Sequence, residues 1–247
     1  MSREIDAHWH AFDPDRFRYV WGPIPAAASA AVGPDRIAIE GGVVVEDACD
    51  ETAWLLSLGQ SSGVLAVVGA SVSDAPTAGK RYTVQSLKDW EPVRARLTQD
   101  QVGVTELLLN STVMDGWSTV EQCGSSVVVD HLIAPPDRWS DPETAGWKSL
   151  VDCLGTRTLV NVKVSGRGIA DSIGRREIRP FVDYVIDVIS PDRLILGSNW
   201  PLCNEATYYD AWARAVESLI RAGLSDEQIH AVSGGNAARV YGIGDPA

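Results

Sequence analysis

Short apolar runs alternate along this chain with longer stretches whose apolar residues recur at helical spacing. That alternation is the mark of βα units laid on a parallel sheet. The first strand is expected over Glu4–Ala7, feeding a His8-Trp9-His10 turn. A loop follows from Asp13 to Arg36, where Pro14, Pro23, Pro25 and Pro34 oppose a long regular helix. Gly42–Val45 is read as the second strand with Glu51–Gln60 as its helix, and Val64–Ala70 as the third strand. Ser71–Arg81 is read as a loop leading to a helix over Val84–Leu97. Val104–Leu109 and Ser126–Val129 follow as strands, the latter ending at Asp130-His131. Helix Ala145–Leu154, strand Leu159–Val164, helix Arg179–Ile189 and strand Leu194–Leu196 come next. Helices over Ala206–Ala222 and Asp226–Val232 close the chain, and Ser225 with Gln228 has the spacing of a capping box.

These elements give an α/β fold, a distorted or incomplete TIM-like (β/α) barrel with seven core strands, one short of the usual eight. The shortfall is assigned to the interval between Asn110 and Ser126, which has room for one crossover helix near Gly116–Gln122. A length of 247 residues suits one barrel domain spanning residues 1–247.

Charge and composition narrow the partners. The net charge of −12 opposes a nucleic-acid footprint. No apolar window is long enough for a membrane span, and the N-terminus carries no apolar leader. The four cysteines lie far apart without a CxxC pair, which reads as reduced thiols in a cytoplasmic protein. A small-molecule substrate is the expected partner.

Candidate chemistry falls at strand C-terminal ends, where a parallel barrel projects its reacting groups. His8 and His10 are two apart on a strand, so both imidazoles point one way and suit a divalent metal or a substrate oxygen. His131, Lys163 and Asn199 end later strands. Lys163 in a β-branched strand calls for a carboxylate partner or an acidic substrate. Glu46 and Glu106 are further strand-end carboxylates, and Trp9 and Trp200 offer flat surfaces for a substrate ring if they line the mouth. Each of these has an ordinary structural alternative: a hydrogen-bonded core histidine, an ion pair, a packing tryptophan.

The motifs Ile5-Asp6-Ala7-His8-Trp9-His10, Val128-Val129-Asp130-His131-Leu132, Val162-Lys163-Val164-Ser165-Gly166, Gly197-Ser198-Asn199-Trp200-Pro201 and Gly234-Gly235-Asn236-Ala237-Ala238-Arg239 occur in order. Together they resemble the lactonase branch of the amidohydrolase superfamily, with its fuconolactone, sulfomuconolactone and pyrone-dicarboxylate lactone hydrolases. The resemblance implies His8, His10, His131 and position 199 as catalytic, with the three histidines holding a divalent metal, zinc or manganese, or none. It also implies a homo-oligomer, while Trp9, Lys163, Trp200, Glu106 and Glu46 are candidate substrate contacts by their own placement. The substrate class would be a small cyclic ester or an aromatic, polyketide-like carbonyl compound.

The sequence departs from the pattern. Asn199 stands where the branch carries the aspartate that activates water, and an amide is no base at neutral pH. Glu106 follows Gly103-Val104-Thr105 where relatives read Gly-Val-Arg-His, and Leu132-Ile133-Ala134-Pro135 lacks a Gly-Lys. The lost cations imply a less anionic substrate. Three readings stay open on sequence alone: metal-assisted hydrolysis; metal-independent acid–base chemistry such as cyclisation, dehydration, isomerisation or decarboxylation; and binding without catalysis.

Overall fold

The computed structural model describes residues 3–20, 35–39, 45–59, 63–84, 89–97, 103–109, 126–166, 179–203 and 207–244. Eight parallel strands run in chain order around one sheet: β1 (Ile5–Trp9), β2 (Asp35–Ile39), β3 (Val64–Ala70), β4 (Gly79–Val84), β5 (Val104–Leu109), β6 (Ser126–Val129), β7 (Val160–Val164) and β8 (Leu194–Leu196). The seam between β8 and β1 is joined by a parallel bridge, Trp9 to Trp200. Beside it the Asn199 amide donates to the His8 carbonyl and the His10 amide to the Trp200 carbonyl, both at 2.8 Å. The result is a nearly closed TIM-like barrel.

Among the described residues the strands number eight, not seven, and two of them lie where the sequence pattern misled. Gly79–Arg81 falls in the loop expected over Ser71–Arg81 and Val84 in the expected helix, yet Gly79–Val84 is a strand that pairs with β5 along its length and with β3 over Gly79–Arg81. A polar strand is buried here because Arg81 finds the Asp130 carboxylate inside the barrel. The second strand is Asp35–Ile39, directly after the proline-rich stretch, and Val45–Asp47 is a 3₁₀ turn rather than a strand end. The rest of the Gly42–Val45 expectation, and the interval from Asn110 to 125 with its Gly116–Gln122 helix, lie outside the described residues. The helix expected from Val84 runs over Trp90–Leu97.

Elsewhere local chemistry and structure agree. The helix Tyr208–Arg221 buries Tyr208, Ala211, Trp212, Ala215, Ser218 and Leu219, a stripe on one face. Thr207 caps its start by accepting from the Asp210 amide, and Gly223 in the left-handed region follows its end. The Ser225–Gln228 capping box opens the helix Asp226–His230. No helix among the described residues is long and apolar enough to cross a membrane.

The barrel interior is layered. Ile5, Ile37, Val68, Val104, Val128 and Ile195 pack with Ala237, Val240 and Tyr241 from the C-terminal helical segment. Two residues further along the strands, on the same faces, Val104 gives way to Glu106 and Val128 to Asp130. Lys163, on β7, meets both carboxylates. The apolar layer therefore supports a charged layer, and the imidazoles stand beyond it. The opposite strand faces pack outward on Trp147, Leu150, Leu154 and Phe181 of the surrounding helices.

Candidate active site

His8 is fully buried at the end of β1, and His10 follows it nearly so. Their Nε2 atoms stand 3.1 Å apart. His10 Nδ1 lies 3.2 Å from the Ile39 carbonyl oxygen, so that nitrogen carries the proton and Nε2 presents a lone pair. His8 then has two choices. Protonated on Nε2, it donates to His10 and leaves a buried Nδ1 lone pair 3.6 Å from the Asp130 carboxylate, without a hydrogen-bond partner among the described residues. Protonated on Nδ1, it faces Asp130 well, and two Nε2 lone pairs confront each other. Neither tautomer satisfies both neighbours. In the second, the two facing lone pairs of His8 and His10 would be satisfied by holding a cation, so the donor set fits a divalent metal ion. His8, Asp130 and His131 also each present one ligand atom within 4.8 Å of the others, and they form a candidate metal-binding group.

His131 begins a turn in which His131, Leu132, Ile133 and Ala134 all have left-handed φ, between 46° and 64°. This is costly for non-glycine residues, Ile133 above all. The turn is tied by the Ile133 amide to the Asp130 carbonyl and by the buried Trp147 indole, which donates to the Leu132 carbonyl at 3.0 Å. It brings the His131 ring to 4.6 Å from that of His8. Ser165 Oγ meets His131 Nδ1 at 2.9 Å, and Arg81 approaches Nε2 at 3.5 Å.

Two glycines let the elements come this close. A Cβ on Gly197 would fall 2.9 Å from the His8 amide nitrogen, and one on Gly166 would fall 2.9 Å from His131 Nδ1. Asp6 fixes the turn that follows β8. Its buried carboxylate accepts from the Ser198 amide at 2.9 Å and the Ser198 hydroxyl at 2.5 Å, and Ser198 Oγ accepts from the Trp200 amide. Asn199 sits between them at φ 59°, a left-handed conformation that asparagine tolerates. It is 5% exposed, and its backbone is joined to His8.

Electrostatics keep the imidazoles neutral. Burial lowers His8 well below the usual histidine value, with the Lys163 charge adding to it. Burial, then Arg81, lowers His10 to about 3. Burial lowers His131 to about 4 against the pull of Asp130. Burial opposes ionisation of Asp130, yet Lys163 and Arg81 together hold its carboxyl well below the usual range. Arg81 Nε meets Asp130 Oδ2 at 3.0 Å, and Lys163 Nζ meets Oδ1 at 3.2 Å. Burial raises Glu106, which accepts from Lys163 at 2.8 Å and from the Tyr241 hydroxyl.

The structure thus brings His8, His10 and His131 together, with Asn199 bonded to His8 through the backbone. Lys163 and Glu106 lie beneath them, closed to solvent and paired with each other. Trp9 and Trp200 pack with Leu55, Val67 and Ala211 outside the barrel rather than beside the imidazoles. Glu46 is exposed and pairs with Arg18, away from the cluster. Sequence reasoning missed Arg81 because its strand read as loop, and passed over Asp130 despite its place in the Asp130-His131 motif. Arg81 and Lys163 bring positive charge into the barrel, and both are engaged by carboxylates.

A profile described as amidohydrolase matches residues 120–243. The sequence is 31% identical over 234 residues to an L-fucono-1,5-lactonase of Burkholderia multivorans, covering 80% of this chain and 78% of that protein. Among solved structures, an amidohydrolase from Burkholderia multivorans with bound zinc superposes with a TM-score of 0.69 at 24% identity, over 98% of this chain and 100% of that one. A proposed 2-pyrone-4,6-dicarboxylic acid hydrolase from Pseudomonas putida gives 0.72 at 21% identity over 100% of both chains. At these identities the structures speak to the fold, while the sequence matches speak to the family. The chain is an enzyme of the amidohydrolase family, a hydrolase of its lactonase-like branch.

Proposed function

We propose that the chain opens a small cyclic ester, of the sugar-acid 1,5-lactone type, at a site made by His8, His10, His131 and Asn199. The observation that carries this reading is the pair of imidazole Nε2 atoms 3.1 Å apart beside an ionised carboxylate, at strand C-terminal ends. The relative named L-fucono-1,5-lactonase supplies the substrate class.

His8 and His10, with His131 at the third side, would hold zinc or manganese. Such an ion supplies polarisation of the ester carbonyl and acidification of water. Neutral imidazoles are required for this, and burial keeps all three neutral at pH 7. Asp130 faces His8 Nδ1, fixes its tautomer and stabilises positive charge drawn onto the ring. Asn199 cannot accept the proton of the attacking water. Its carboxamide instead donates to the ester oxygen as charge develops there. Acidification of water would therefore rest on the ion that the imidazole cluster holds.

The test uses protein stripped with chelator and reloaded with zinc or manganese, with proton release measured on L-fucono-1,5-lactone and other neutral aldonolactones. Turnover should return with metal and be lost in His8→Ala. Turnover that survives both chelation and His8→Ala would defeat the assignment.

A further inference from the structure

Lys163 is among the largest fully buried side chains, and it is the junction of a chain of polar contacts through the barrel. Its Nζ lies 2.8 Å from Glu106 Oε1 on β5 and 3.2 Å from Asp130 Oδ1 beyond β6. Below, the Tyr241 hydroxyl donates to the same Glu106 oxygen, and its ring lies 5.8 Å from the ammonium. Above, Asp130 faces His8 Nδ1 and takes Arg81 on its other oxygen. A lysine used only to neutralise Glu106 would need no second carboxylate. One used to bind substrate would need to be open to it, and the Lys163 side chain is fully buried.

We propose that Lys163 is a positioning residue: anchored by Glu106 and Tyr241, its ammonium holds Asp130 in place behind His8. The C-terminal segment thereby reaches the imidazole cluster through four side chains, Tyr241, Glu106, Lys163 and Asp130. The proposal rests on the reading of His8 as a functional imidazole. Arg81 alone does not substitute for Lys163, because it engages Oδ2 while Lys163 engages Oδ1, the oxygen turned to His8.

The experiment compares wild type with Lys163→Met/Glu106→Gln and with Lys163→Arg. The double variant removes one charge of each sign and leaves an amide oxygen for Tyr241. Lys163→Arg keeps the charge and replaces the compact ammonium with a larger, forked guanidinium. The chain has four histidines, so ¹⁵N-histidine labelling gives few ring signals, and His230 on a surface helix serves as the internal control. In both variants the His8 ring signals should move while those of His230 stay. On lactone, kcat should fall about 10- to 100-fold with KM within about twofold, the scale of losing a partner that orients a metal-site group. Unchanged His8 signals and unchanged kcat in Lys163→Arg would overturn the proposal and leave Lys163 as a neutralising charge. If wild type turns over no lactone, the hydrolytic reading falls and the ring signals alone decide the role of Lys163.

Discussion

Asp130 Oδ1 stands 3.6 Å from His8 Nδ1, both side chains closed to solvent, and the same oxygen is held by Lys163. The carboxylate therefore answers to two cations and one imidazole. In Asp130→Asn the guanidinium loses this carboxylate and the ammonium is left with Glu106. Breaking a buried pair in this way costs about 3–5 kcal/mol, which urea denaturation would read. The same change removes the group that fixes the His8 tautomer, so kcat on lactone should fall about 10²-fold or more. Full activity in a stably folded Asp130→Asn would argue that His8 is held without it.

Acid should destabilise the metal-free protein in a defined window. Unfolding returns His10 and His131 to the ordinary histidine value of 6.5, from about 3 and about 4 in the fold. Between those values the unfolded chain binds more protons than the folded one, so stability is full above about 6.5 and declines as pH falls toward about 3. Urea midpoints at several pH values, on chelated protein, measure this. Replacing His10 with Gln should flatten the profile, and an equal slope in that variant would rule His10 out as a contributor.

Asn199→Asp restores the carboxylate that the resemblance leads one to expect. The side chain keeps a residue type that tolerates the left-handed backbone. We expect kcat to rise about tenfold or more, since a positioned base contributes about 10²- to 10⁴-fold. Asn199→Ala should lower kcat and destabilise the fold by about 1–2 kcal/mol through backbone strain. No gain in Asn199→Asp would show that the site has been remodelled around the amide.

Gly197→Ala tests how closely β8 must approach β1. The new methyl would meet the His8 side chain and lie 2.9 Å from its amide nitrogen and 3.1 Å from its Cα. Backbone atoms cannot step aside cheaply, so a loss of about 1–3 kcal/mol is expected, together with a fall in kcat as His8 shifts. Wild-type thermal stability and activity in this variant would mean that the seam can open without cost.

The order of elements was legible in the chain itself. Val64–Ala70, Val104–Leu109 and Ser126–Val129 are apolar, β-branched runs, and they form strands at the boundaries their pattern indicates. His8 and His10 were legible for the same local reason: two residues apart on a strand share a face. What local pattern could not show was any feature whose stability comes from a distant partner. Arg81 lies in a strand that looks like a loop until Asp130, forty-nine residues away, neutralises it. Lys163 likewise could equally have gripped a substrate; only folding placed it between Glu106 and Asp130, out of reach of solvent. Burial of a charge is decided by what closes around it, and in a barrel that closing is done by strands from the whole length of the chain.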